Sequence, residues 1–241
     1  MKVPACSTGR PLPGLARCMP RRAMSGAIAG DTIAETWLSS LALFQEAYAV
    51  NRFDSDRGPC VERENVLLSV RRPASEPRVA DIFPKVFLPL VEGVSAAFRG
   101  EYSARQSTLQ ERLYSWPRRP STPKRPSHLN QFELARQRIQ ESPGSRFTMV
   151  GFWDPDIDPF LTNPVSPLLA AFRVRNGFLN ASLSVRSIDA WMGGFPMLVG
   201  FAEFHDMLAK SSDLRTGSCD YFVLSYHVYE IDLPILMGAI R

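Results

Sequence analysis

Few side chains in this sequence can carry chemistry. There are three histidines, His128, His205 and His227, and four scattered cysteines, Cys6, Cys18, Cys60 and Cys219. Imidazole is the side chain whose ordinary pKa lets it trade protons near neutral pH. His205 sits beside Asp206 in a helix-like stretch and reads as an exposed, structural histidine. His227 is more informative. Strand spacing over Tyr221 to Tyr229 puts Tyr221, Val223, Ser225, His227 and Tyr229 on one face and Phe222, Leu224, Tyr226 and Val228 on the other. The second set reads as core, and the first ends in a Ser–His–Tyr row suited to a pocket wall. Arg186, followed by Ser187 and Asp189, closes another strand-like run. A guanidinium offers a planar fork of donors to an anion, although a surface ion pair with Asp189 fits the same spacing. The cysteines form no C-x-x-C pair and no Cys/His cluster, so no metal site is expected. The P-loop, G-x-G-x-x-G, H-E-x-x-H and G-x-S-x-G signatures are absent.

The elements that must position these residues are legible in part. Thr32-Ile33-Ala34-Glu35 has capping-box spacing, and Ile33, Trp37, Leu41, Phe44 and Tyr48 follow at helical intervals. Asn65 to Arg71 alternates as a strand with Val66, Leu68 and Val70 on one side, and a helix is expected to start near Leu90. Ser115 to His128, with four prolines and four basic residues, reads as a Pro/Arg-rich loop. A helical period runs from Leu129 to Glu141 and stops at Ser142-Pro143-Gly144. Beyond it, Phe147 to Trp153 reads as a strand, and Leu169 to Arg175 and Phe178 to Arg186 flank the hairpin signal Asn176-Gly177. A helix opened by Pro196 runs to about Ala209. The fold class is α/β or α+β, with a mixed or antiparallel sheet and flanking helices.

Composition narrows the function classes. The chain has 241 residues, is 45% hydrophobic and 22% charged, and contains no apolar run long enough for a membrane span. Its net charge of +4 is concentrated at one end: residues 1–30 hold Lys2, Arg10, Arg17, Arg21 and Arg22 and no acid. Without those five, 23 positive charges face 24 negative ones, so neither a nucleic-acid footprint nor a membrane surface is expected. Residues 1–30 read as an unstructured leader, or as sequence ahead of a true start at Met19 or Met24. Residues 31–241 read as a single domain, and the expected location is the cytoplasm.

Residues 146–229 resemble thymidylate synthase and its relatives the deoxycytidylate hydroxymethylases. The family's V-x-N-G-x-L turn is similar to Val174-Arg175-Asn176-Gly177-Phe178-Leu179, and its R-S-x-D-x-x-x-G run to Arg186-Ser187-Ile188-Asp189-Ala190-Trp191-Met192-Gly193. Its H-x-Y resembles His227-Val228-Tyr229, and its P-x-S-R turn and W-N-P segment resemble Pro143-Gly144-Ser145-Arg146 and Trp153-Asp154-Pro155. The resemblance implies a thymidylate-synthase-like fold and a homodimer that binds a pyrimidine nucleoside 5′-monophosphate. It gives Arg186 and Ser187 the phosphate, Arg146 the partner subunit's phosphate, Arg57 a place in an N-terminal phosphate loop, and His227 and Tyr229 the sugar hydroxyl. It sets Asp189 and Gly193 beside 5,10-methylenetetrahydrofolate.

The departures bear on catalysis. The family's nucleophilic cysteine falls at Ser166 and the histidine after it at Pro167. The asparagine that reads the base edge falls at Met197, and the catalytic glutamate at Gly93, with Glu92 one place away. Two function classes follow. One is a folate-dependent methyl or hydroxymethyl transferase acting on a nucleotide, with ordinary thymidylate synthesis not expected. The other is a non-catalytic nucleotide-binding or partner-binding protein on the same fold.

Overall fold

The computed structural model describes residues 26–47, 52–101, 107–117 and 128–240. Tyr48, residues 1–25 of the expected leader and residues 118–127 of the expected loop lie outside this set. β1 (Ala27–Gly30) runs directly into α1 (Ile33–Leu41), whose N-cap Thr32 accepts the Glu35 amide at 3.2 Å, while the Glu35 carboxylate accepts the Asp31 amide at 2.7 Å. The cap satisfies one of the amides left open at a helix start, and the Glu35 side chain ties back to the residue before the cap. A single turn, α2 (Leu43–Ala47), precedes the hairpin of β2 (Arg52–Ser55) and β3 (Gly58–Val70). α3 (Leu88–Arg99) carries Pro89 in its first turn, where a missing amide hydrogen costs nothing, and ends at left-handed Gly100. α4 (Ser107–Tyr114), β4 (Trp116–Pro117), β5 (His128–Leu129) and α5 (Gln131–Glu141) lead into β6 (Met149–Gly151). β7 (Pro167–Arg175) and β8 (Phe178–Asp189) form the expected hairpin, with Asn176 at φ 53° and Gly177 at φ 76° as a two-residue turn of this kind demands. α6 (Gly194–Ser211), β9 (Arg215–Tyr229) and α7 (Leu233–Ala239) complete the chain.

Among the described residues the main sheet has seven strands in the order β1-β3-β9-β8-β7-β6, with β2 beside β3. It is mixed: β1–β3 and β8–β9 are parallel, the other pairs antiparallel. The α+β class with flanking helices is the one expected. The helices pack on one face around α6, which buries Phe195, Leu198, Phe201, Phe204 and Leu208. Trp37 of α1 sits 4.9 Å from the Phe195 ring and donates its indole N–H to the Ala190 carbonyl at 2.7 Å. Each fully buried side chain of this size stabilises the fold by roughly 1.5–3 kcal/mol. α3 crosses α6 at Gly200, where a Cβ would lie 2.8 Å from the Phe98 ring, so only glycine admits this approach.

The sheet is kinked at one level across three strands. On β8 the buried positions are Leu179, Ala181, Leu183 and Val185, and then Ile188; on β9 they are Cys219, Tyr221 and Val223, and then Tyr226 and Val228. On β3 the helix-facing buried positions are Val61 and Arg63 below the break and Val66, Leu68 and Val70 above it, with Asn65 at φ 55° and Cys60 buried on the opposite face. Ser187, Ser225 and Glu64 are register partners at the break. Simple alternation along β9 is therefore overturned. Tyr221 donates its hydroxyl to the Leu198 carbonyl in α6 (2.8 Å), yet Tyr226 also faces the helices, its hydroxyl 2.6 Å from Ser40 in α1. Phe222 and Leu224, read as core, stand 42% and 38% exposed on the open face. A local break in the pleat moves the side chains beyond it to the other face.

Three further expectations change. Ala27–Gly30 is not leader: it pairs with Leu67–Val70 of β3, and its carbonyls and amides need that edge. His205 is fully buried, not exposed, because α6 is covered nearly all round. Its Nε2–H donates to the Leu179 carbonyl at 2.7 Å, and burial draws its pKa down to about 4, so it is neutral at pH 7. The ends of the Ser115–His128 segment pair as β4 and β5.

Candidate functional site

Beyond the kink, β9 and β3 turn polar side chains away from the helices. Asp189, His227 and Glu62 are register partners across β8, β9 and β3, and Tyr229 follows His227 on the same side. These residues floor a cavity of about 800 Å³. Its walls are Arg57 from the β2–β3 turn, the segment from Leu161 to Ser166, and Gly193 and Met197 at the start of α6. A smaller chamber of about 220 Å³ continues past Ser166 and Met197 towards Leu90, Val94 and Leu109.

One end of the cavity is cationic. Arg186 donates from Nε to the Val165 carbonyl (3.0 Å) and from Nη2 to the Pro164 carbonyl (2.7 Å). Its own amide bonds the Ser166 carbonyl at 2.9 Å, so β8 fixes the wall segment through both main chain and side chain. Among the described residues the rest of its five N–H donors have no partner. Arg57 reaches the same segment, with Nη2 2.8 Å from the Asn163 side-chain oxygen. Burial, and then the nearby Arg57 charge, lower the Arg186 pKa. Two guanidinium groups that feel each other's charge, both tethered to neutral oxygens, have the chemistry that suits an anion.

The neighbouring row on β8 and β9 is set for neutral hydrogen bonding. Ser187 Oγ lies 3.3 Å from His227 Nδ1, and burial pulls the His227 pKa down, with the Arg57 and Arg186 charges acting the same way. The ring is neutral and able both to donate and to accept. Asp189 accepts the amides of Trp191 (3.0 Å) and Met192 (3.4 Å) on one oxygen. Burial nonetheless raises its pKa from the ordinary 3.8 to about 6. A carboxyl raised in this way stabilises the fold below its open-chain pKa, and that contribution is lost as pH rises through 6. Asp189→Asn is therefore expected to stabilise the protein by ~1–3 kcal/mol at pH 7 and by nothing measurable at pH 4. Urea unfolding at the two pH values measures this, and a gain of equal size at both would contradict the assignment.

Arg57, Ser166, Arg186, Ser187, Asp189, Gly193, Met197, His227 and Tyr229 are thus brought together. Two candidates are not. Glu92 points outward from α3, its carboxylate 2.6 Å from Arg99. Arg146 is exposed in the turn after α5, away from the cavity of its own chain. Ser166 is half-buried, and its hydroxyl has no hydrogen-bonding partner among the described residues, so no base stands ready to take its proton. Sequence reasoning missed Glu62 and Asn163. Glu62 becomes visible only through the pairing of β3 with β9, and Asn163 only through the contact with Arg57. Among the described residues no three His, Cys, Asp or Glu side chains converge as a metal site would require, and no helix is long and apolar enough to cross a membrane.

Comparison with known proteins bears on this arrangement. The family model for thymidylate synthase matches residues 98–239, more than half of the chain, and includes the cavity residues other than those of β2, β3, the turn between them and Leu90. Similar curated proteins include two named "Putative thymidylate synthase". The one from Methanothermobacter marburgensis is 30% identical over 113 residues, 47% of this chain and 51% of the relative. The one from Methanosarcina acetivorans is 24% identical over 135 residues, 56% of this chain and 58% of the relative. A thymidylate synthase of Staphylococcus haemolyticus is 26% identical over 103 residues, 43% of this chain and 32% of the relative. The chain spans about half the length of the relatives first matched.

Proposed function

The chain belongs to the thymidylate synthase family, and from that premise we propose that its cavity binds a nucleoside 5′-monophosphate. The observation that carries this reading is the paired guanidinium end, Arg57 with Arg186, beside the Ser187–His227–Tyr229 row in one cavity. A phosphate dianion takes the uncommitted guanidinium donors and the Ser187 hydroxyl. Neutral His227 and Tyr229 hydrogen-bond the sugar. Met197 and the smaller chamber beyond it face the base, so the base edge meets thioether and aliphatic surface in place of a hydrogen-bonding amide.

The second reading adds one-carbon transfer, and Asp189 favours it. Its second carboxylate oxygen has no bond among the described residues, and the cavity of about 800 Å³ exceeds what a nucleotide alone fills. These features fit the N–H edge of the pterin ring of 5,10-methylenetetrahydrofolate, with Gly193 leaving room beside it; that cofactor supplies the one-carbon unit. In this chain the residues orient the partners and exclude water. Ser166, without a base, is not assigned the role of nucleophile.

Ligand-induced thermal shift separates the readings. Nucleoside monophosphates are expected to raise the melting temperature, the unphosphorylated nucleosides to leave it nearly unchanged, and Ser166→Ala to respond as the wild type does. Further stabilisation by reduced folate, seen only with nucleotide present, selects the transferase. No shift with any monophosphate removes the nucleotide reading.

We further propose an isologous homodimer through the open sheet face. Leu169, Ser184, Phe222 and Leu67 are successive register partners across four strands, and exposed Leu224, Met149 and Phe147 extend the patch. An apolar surface of this extent calls for a cover, and Arg146 beside Phe147 would then reach the partner's cavity. Sedimentation velocity at micromolar concentration should give twice the 27.0 kDa chain mass; the mass of a single chain would refute the dimer.

A further inference from the structure

Glu62 stands in the cavity floor beside the residues assigned to the nucleotide. Its register partner is His227, so the two side chains lie side by side on one face of the sheet. Ser225 Oγ donates to its Oε1 at 2.5 Å. Among the described residues Glu62 has no cationic partner, so an acceptor-only group is left with one oxygen towards the cavity. A half-buried carboxylate in this situation gains from a ligand that brings hydroxyl donors and loses from one that brings negative charge. The phosphate belongs at the guanidinium pair, and the register neighbour of Glu62 is the sugar-facing His227.

We propose that Glu62 reads the sugar: its carboxylate accepts a hydrogen bond from the ribose 2′-hydroxyl, and the site prefers ribonucleoside to 2′-deoxyribonucleoside monophosphates. The inference rests on the nucleotide reading above. The recognition chemistry is that of an acidic side chain accepting from a ribose hydroxyl in dinucleotide-binding folds. A deoxy sugar leaves the carboxylate desolvated with Ser225 alone.

The test is calorimetric titration of the full chain with the pairs UMP/dUMP and CMP/dCMP. The wild type should bind the ribo member of a pair at least about tenfold more tightly, the ratio expected when a hydrogen bond to a charged group is lost. Glu62→Ala should bring the ribonucleotide down to the level of the deoxynucleotide and leave the latter within about twofold of wild type. Glu62→Gln, which keeps an acceptor oxygen, should retain part of the preference. Equal or deoxy-preferring binding by wild type, or an equal loss for both sugars in Glu62→Ala, overturns this inference and leaves the nucleotide site standing. Binding of neither sugar, or binding indifferent to Arg186→Ala, overturns both.

Discussion

Arg112→Ala is expected to destabilise the protein by about 3–5 kcal/mol, the range found when one partner of a buried ion pair is removed. Arg112 and Asp158 are 4% and 0% exposed and meet as a two-pronged pair, Nη1 to Oδ2 at 2.7 Å and Nη2 to Oδ1 at 2.9 Å. Arg112 also donates to the Phe152 carbonyl, and Asp158 accepts the Asp154 amide at 2.6 Å. Burial is the largest single influence and lifts the Asp158 pKa, but the Arg112 hydrogen bonds and charge together with the backbone amides that Asp158 accepts outweigh it and hold the carboxyl below its ordinary range. The pair thus stabilises the fold above that range and ceases to do so as pH falls through the lowered pKa. Without Arg112 the buried carboxyl must take up a proton, so the loss deepens as pH rises. Urea unfolding at pH 7 measures it, and Arg112→Met combined with Asp158→Leu should recover most of the stability. A loss below about 1 kcal/mol would mean that water reaches Asp158. The pair clamps Phe152–Phe160, the stretch that leads into the cavity wall at Leu161 to Ser166.

Arg186→Ala is expected to weaken nucleoside monophosphate binding by ~2 kcal/mol or more, about thirtyfold, through loss of a charge-assisted contact. The unphosphorylated nucleoside should lose no more than about threefold, because the Pro164 and Val165 carbonyls released from the guanidinium can bond water instead. Arg57→Ala serves as the control. Its side chain is exposed, so its loss should be smaller and more sensitive to salt. Equal monophosphate affinity in Arg186→Ala and wild type would take the phosphate away from this end of the cavity.

The site was legible in the sequence to an uneven degree. Arg186, Ser187, Asp189, His227 and Tyr229 were named from motif and strand spacing, and they do share one cavity. Period-two spacing puts Tyr221, Val223 and His227 on a common face, whereas the kink sends the first two to the helices and His227 to the cavity. Glu92 was a candidate through its place beside the glycine at a catalytic position, and the rotation of α3 turns it to solvent and Arg99.

Local chemistry accounts for what could be read directly. The Asn176-Gly177 turn accepts positive φ with no help from the rest of the fold, Thr32 caps its own helix, and Ser142-Pro143-Gly144 ends α5 wherever that helix lies. Each of these depends on atoms within a few residues. The other decisions needed partners distant in sequence. β1 is four residues long and exists because β3 offers it an edge. His205 is buried because strands and helices enclose α6, and Arg112 finds Asp158 46 residues away. The break in alternation arises where three strands lie in register at Ser187, Ser225 and Glu64, a coincidence that no single strand encodes. That break turns Glu62 and His227 into the cavity. Strand pairing and burial are long-range terms, and only when they are satisfied together does the polar half of these strands become a binding site.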